Sequence, residues 1–297
     1  PQRILVTCRI RSYFGATVLP DFRAHTLAPF DGPKIMQFAT AWYQAQHKFG
    51  RVDALEAQKK SQDLAEAAQG SDLFELAQNP MLLTSMAIIH QKEIGLPRER
   101  VRLYSLIVDV LLRRWQARKA GDQGISPALT SFLRDDLRLR SAMERLAYEA
   151  HRAASSEKKA ADLPRGDALT LFDAPEYLGS ITLANEFLTY VDQRAGLLVG
   201  RGGEIGRPDQ YSFPHRTFQE YLAGCYLVNH RDAVRCIAVH ATEGDTWRLA
   251  LVLGAEDLLF SRRQLNGLLD LTYRLCPLQG TDEEINLRLA VWAGELA

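Results

Sequence analysis

The sequence predicts a mainly α-helical protein, with β structure confined to its opening residues and to one hairpin near residue 200. Three observations carry this reading. Apolar residues recur at helical spacing in nearly every segment after Phe30. That period gives way at Ile4-Leu5-Val6-Thr7-Cys8-Arg9, a short β-prone run, and again between Leu197 and Phe213, where two apolar runs flank a Gly-rich polar stretch. Finally, 46% hydrophobic residues over 297 positions can bury a real core, and the length suits about two or three compact units.

Taken in order, Ile4 to Arg9 reads as a buried parallel strand whose polar end carries functional side chains. Such a strand needs neighbours, so more of its sheet is expected upstream. Arg23 to Phe30 is a second, weaker strand candidate. Asp31 and Pro33 suit the cap and first turn of a helix that places Ile35, Phe38, Trp42 and Tyr43 on one side. Further helices are expected at about 54–68, 72–78, 81–92 and 98–119, with a break at Gly95-Leu96-Pro97. Gly121 to Gly124 reads as a turn, Ser126-Pro127 as a helix start, and Ser155 to Gly166 as a polar loop. A helix carrying Phe187, Leu188 and Val191 then ends near Gly196. Leu197 to Val199 and Tyr211 to Phe213 form a hairpin around a tip at Gly200 to Asp209, and Pro214 opens a helix to about Asn229. Helices followed by a long-tipped hairpin have the layout of a winged helix. The remainder, Arg231 to Ala297, reads as three amphipathic helices with no defensible repeat period.

Charge and cysteine usage narrow the function classes. Lys plus Arg and Asp plus Glu number 36 each, which argues against a dedicated nucleic-acid binder. The four cysteines, Cys8, Cys225, Cys236 and Cys276, form no CxxC pair and read as ordinary thiols of a reducing compartment. No apolar run approaches the roughly 18 residues of a membrane span.

Three patterns occur in one order: Ile4-Leu5-Val6-Thr7-Cys8-Arg9, Asn79-Pro80-Met81-Leu82-Leu83, and Phe213-Pro214-His215-Arg216-Thr217-Phe218-Gln219-Glu220-Tyr221-Leu222-Ala223. Between them lie Leu27-Ala28-Pro29-Phe30, Leu96-Pro97 and Leu111-Leu112-Arg113-Arg114-Trp115. Together they resemble the NACHT branch of the STAND signalling ATPases over roughly residues 1–230. The resemblance implies four parts: the C-terminal end of a P-loop α/β core (1–29), a helical domain (30–97), a winged-helix domain (98–230), and a second helical domain or the start of a repeat array (231–297).

The resemblance also assigns three nucleotide-binding residues. Arg9 matches the arginine that senses the γ-phosphate of ATP, with Cys8 where Ser is more usual and Arg11 close by. Pro80 matches the proline that lies against the base. His215 matches the histidine that reaches the β-phosphate of ADP. Read without the family, Arg9 is equally an ion pair at a strand end, Pro80 is helix punctuation, and His215 is a cap or a domain contact. Gln219 and Glu220 fit the motif but could equally be exposed, whereas Phe218, Tyr221 and Leu222 read as core.

No GxxxxGK[ST] loop and no apolar strand ending in paired acids is found in the sequence, so this chain alone is not expected to hydrolyse ATP. The expected cofactors are ATP and ADP with Mg2+, the magnesium and phosphate-loop ligands being supplied by residues outside this chain. The implied function is a cytoplasmic switch that exchanges ADP for ATP on sensing a trigger, such as a foreign protein. It would then self-associate to activate an effector in innate immunity or antiphage defence. The alternative is a nucleotide-independent scaffold whose winged helix binds protein or DNA.

Overall fold

The computed structural model describes residues 5–6, 18–71, 73–92, 95–97, 99–117, 125–157, 162–192, 198–203, 207–213, 215–276 and 282–296. Two compact units result, residues 1–84 and 85–297, the division falling inside helix α4 (Pro80–Lys92).

In the first unit, α1 (Gly32–Lys48) and α2 (Ala54–Ala68) pack together, followed by the short α3 (Phe74–Ala77) and the start of α4. Asp31 and Asp53 start the two long helices, each side chain accepting from the backbone N–H three residues on, Lys34 at 3.0 Å and Glu56 at 2.7 Å. The core face of α1 is narrower than the sequence implied. Ile35, Ala39 and Tyr43 are fully buried, while Phe38 and Trp42 flank them half-buried and stack on each other at 6.1 Å. Leu5 and Val6, the only described residues of the expected first strand, are exposed and belong to no strand among the described residues. Arg23 to Phe30 forms no strand either, because no neighbouring strand stands beside it among the described residues.

The second unit begins with α5 (Arg100–Ala117) and α6 (Pro127–Arg134), which Ser126 caps through its hydroxyl. Then come α7 (Asp136–Glu157), β1 (Asp162–Pro164), α8 (Arg165–Asp173), α9 (Ile181–Asp192), β2 (Val199–Arg201) and β3 (Gln210–Ser212). The strands form one antiparallel sheet in the order β1-β3-β2, with Ser212 opposite both Asp162 and Val199. Helix, strand, two helices and a hairpin in this order are a winged helix. The stretch read as a polar loop from Ser155 to Gly166 is thus corrected: α7 runs to Glu157 and Asp162–Pro164 is an edge strand. Pro164 is tolerated because an edge strand needs no donor on its outer side. The wing tip is also shorter than expected, since β2 includes Gly200 and Arg201. It turns at Gly202 and Gly203, whose φ angles of 65° and 63° would strain any other residue.

Helix α10 (Arg216–Asn229) is the spine of this unit, packed on α7 and on α12 (Arg248–Glu256). Phe218, Tyr221, Leu222 and Cys225 are fully buried, as helical spacing required of the first three. Where α10 crosses α12 the backbones touch: a Cβ on Gly224 would stand 1.8 Å from the Ala250 carbonyl oxygen. Among the described residues the C-terminal part holds four α-helices rather than three: α11 (Ala233–Ala241), α12, α13 (Leu265–Arg274) and α14 (Glu283–Leu296). Helix α12 escaped the pattern because Ala250, Leu251, Leu253, Gly254 and Ala255 are all buried, leaving little amphipathic contrast. Among the described residues no helix is long and apolar enough to cross a membrane.

Candidate functional site

The three residues singled out from the sequence have different standings. Arg9 lies outside the described residues, as do Cys8 and Arg11.

Pro80, in the first unit, is the first residue of α4, where its fixed φ suits a helix start and its missing N–H costs nothing. Asn79 caps the helix, its Oδ1 accepting from Met81 N at 2.9 Å and Leu82 N at 3.4 Å. Thr84 donates its hydroxyl to the Pro80 carbonyl at 2.7 Å. Leu82 and Leu83 are fully buried and anchor the turn, while Pro80 itself is exposed. The result is a rigid apolar ring on a fixed helix start.

His215, in the second unit, follows β3 by way of the buried Phe213. The sequence placed it in the first turn of the helix; it is instead the N-cap of α10, with extended φ and ψ of −135° and 129°. Its side chain makes no capping bond to the helix backbone. Its Nδ1 lies 3.0 Å from Thr217 Oγ1, and the half-buried ring meets Phe218 edge-on at 6.3 Å between centroids. An imidazole is thereby held at the start of a 14-residue helix, where backbone N–H groups and the helix dipole favour an anion.

Residues 100–227 match the family described as a winged helix-turn-helix domain C-terminal to NACHT. The chain carries a NACHT-associated winged-helix domain. Its matched segment runs from the first residue of α5 into α10 and includes His215, so the resemblance is borne out for the winged-helix domain. Comparison with the curated proteins finds no match.

Within the NACHT-associated domain, Gln219 and Glu220 are buried rather than exposed. Gln219 is 2% and Glu220 8% accessible. Glu220 accepts from the exposed Arg216 at 2.9 Å, and burial pushes its carboxyl up despite that partner. The pair reaches from the buried side of α10 to the solvent beside His215.

A second polar cluster was not foreseen at all. The Arg140 guanidinium donates to Asp109 at 2.9 Å, Glu144 at 3.1 Å and the Tyr221 hydroxyl at 2.7 Å. Tyr221 donates onward to Asp257 at 2.8 Å, and Arg262 closes the circuit to Asp257 at 2.8 Å and Glu144 at 3.1 Å. Burial pushes the Glu144 carboxyl up, opposed by the two guanidiniums, and burial likewise pushes the Tyr221 phenol up. The circuit ties α5, α7 and α10 to the turn after α12, and its Arg262–Glu144 bond joins residues 118 positions apart. The local signal that could have pointed to it is the i, i+4 spacing of Arg140 and Glu144 on α7.

Proposed function

We propose that the chain is part of an adenine-nucleotide switch in which His215 holds a phosphate oxygen of ADP and so helps keep the switch closed. The observation that carries this reading is the position of His215: an imidazole fixed at the N-cap of α10, inside a domain of the kind that follows NACHT. The groups present suit a phosphate, since the helix start offers N–H donors that the N-cap side chain does not occupy. In the same reading Pro80 offers its exposed ring to the base, and Arg9 senses the γ-phosphate when ATP replaces ADP. The P-loop and Mg2+ ligands would come from residues outside this chain. Exchange of ADP for ATP after a trigger, self-association, and activation of an effector in cytoplasmic defence complete the proposed sequence.

Magnitudes limit what His215 does alone. Reversing a 1:99 equilibrium takes about 5.5 kcal/mol of differential binding. A hydrogen bond to a charged group contributes about 1.5–3 kcal/mol. Packing between domains must therefore supply the rest of the lock. The test is the nucleotide carried by natively purified full-length protein, released by denaturation and identified by anion-exchange chromatography. Near-stoichiometric ADP, largely lost in His215→Ala, is expected. Equal ADP in both proteins sinks the role of His215.

The scaffold reading in its DNA-binding form has less support. Helix α9, which occupies the place of a recognition helix, carries no Lys or Arg, and Arg201 of the wing is paired with Asp162 at 3.2 Å.

A further inference from the structure

We propose that Thr217 is the positioning residue of the His215 site, its hydroxyl holding the imidazole as the Nε2–H tautomer so that the second ring nitrogen meets an anion as a donor. The proposal rests on the reading of His215 as a phosphate contact. A neutral imidazole has one donor and one acceptor nitrogen, and which is which follows from the partner of the other. Were Nδ1 to carry the proton, Nε2 would turn a lone pair toward a phosphate oxygen and repel it. A hydroxyl at Nδ1 can donate to the neutral ring, and can accept from the ring once it is protonated. A hydroxyl could equally accept from an Nδ1–H of the neutral ring; with no other acceptor among the described residues, the Thr217 hydroxyl donates to Nδ1, and Nε2 then keeps its hydrogen.

Thr217 is singled out by what it does not do. Thr40, Thr84, Thr130, Thr170, Thr189 and Thr272 all donate their hydroxyls to the backbone carbonyl four residues earlier, at 2.7–3.1 Å. Thr217 sits in the first turn of α10, where the carbonyl four positions back belongs to Phe213, before the helix. Among the described residues its hydroxyl has one hydrogen-bond partner, His215 Nδ1 at 3.0 Å. Phe218, edge-on to the imidazole, limits rotation of the ring about the same contact. Thr217 and Phe218, two and three positions after the N-cap, thereby hold the orientation of the ring.

Two measurements test this. In the 297-residue chain with 15N-labelled histidine, long-range nitrogen–proton NMR is expected to show His215 protonated at Nε2 and not at Nδ1 near neutral pH. Thr217→Val should give a mixture, and Thr217→Ser should restore the single tautomer. In full-length protein, Thr217→Val should release ADP roughly fivefold faster, the worth of one hydrogen bond, with Thr217→Ser close to wild type. Thermal melting confirms that the near-isosteric variants stay folded. A proton on Nδ1 in the wild type overturns the proposal. So does unchanged release from Thr217→Val when His215→Ala still releases ADP quickly, an outcome that leaves the phosphate contact standing. Wild-type release from His215→Ala removes the phosphate contact itself, and the role of Thr217 falls with it.

Discussion

The starts of α4 and α10 answer the same physical problem in opposite ways. Both helices leave their first N–H groups without intrahelical partners. At α4, Asn79 satisfies two of them and Pro80 brings none of its own, so that helix start is chemically closed and what remains is an exposed apolar ring. At α10, His215 holds the N-cap position but turns its ring to Thr217 instead of the backbone. A closed start is suited to packing against an apolar surface, and a start left uncapped by its own side chain is suited to an anion. The two residues thus differ in kind, although the sequence presents both as punctuation before a helix.

The largest expected effect comes from removing the platform on which the second of these starts stands. Gly224→Ala places a methyl group into the Ala250 carbonyl at the α10–α12 crossing, and the helix axes must separate to admit it. Overpacking of this kind costs about 3 kcal/mol or more. Chemical denaturation of the variant should show that loss, and an unchanged midpoint would mean that the crossing is looser than its geometry.

A second histidine gives the next effect. His151 is buried, its Nε2 donating to the Thr246 carbonyl at 3.1 Å and its ring edge-on to the fully buried Trp247. Burial, the leading cause, pulls it down to about 4 from an ordinary 6.5. A base with a depressed folded value is protonated more readily in the unfolded chain, so its stability contribution is complete above pH 6.5 and is lost as pH falls from 6.5 toward 4. The expected loss is about 3 kcal/mol across that window. It should vanish in His151→Phe when unfolding free energies are measured at both ends; persistence of the full slope would assign it to other groups.

What the sequence made legible follows the range of the interactions. Helix α2 could be read to its ends because Asp53 caps it locally and its apolar spacing is regular. The hairpin was visible from its glycines, although its strands are shifted by a residue or two. Strand β1 was not, because three residues ending in Pro164 carry no alternation and its partner, β3, begins 46 positions later at Gln210. The Arg140–Tyr221–Asp257 circuit was hidden for the same reason: each charge looks solvated until the fold closes the distance. At the candidate site, the identity of His215 was legible from its motif, but its N-cap position and its hold on Thr217 were not. Those depend on where β3 ends and α10 begins, a boundary of one or two residues that pattern alone does not resolve.

The smallest effect is the one that separates the two helix starts most directly. Asn79→Ala removes both capping bonds of α4 and should cost about 1 kcal/mol. His215→Ala removes no capping bond of α10, and should cost less than about 0.5 kcal/mol. Paired denaturation curves of the two variants therefore test the contrast without any ligand. If His215→Ala proves as destabilising as Asn79→Ala, the imidazole is a structural piece of α10, and loss of nucleotide in that variant could no longer be assigned to a missing phosphate contact. If it proves nearly silent, conservation of fold and loss of ADP together isolate the chemistry of one ring.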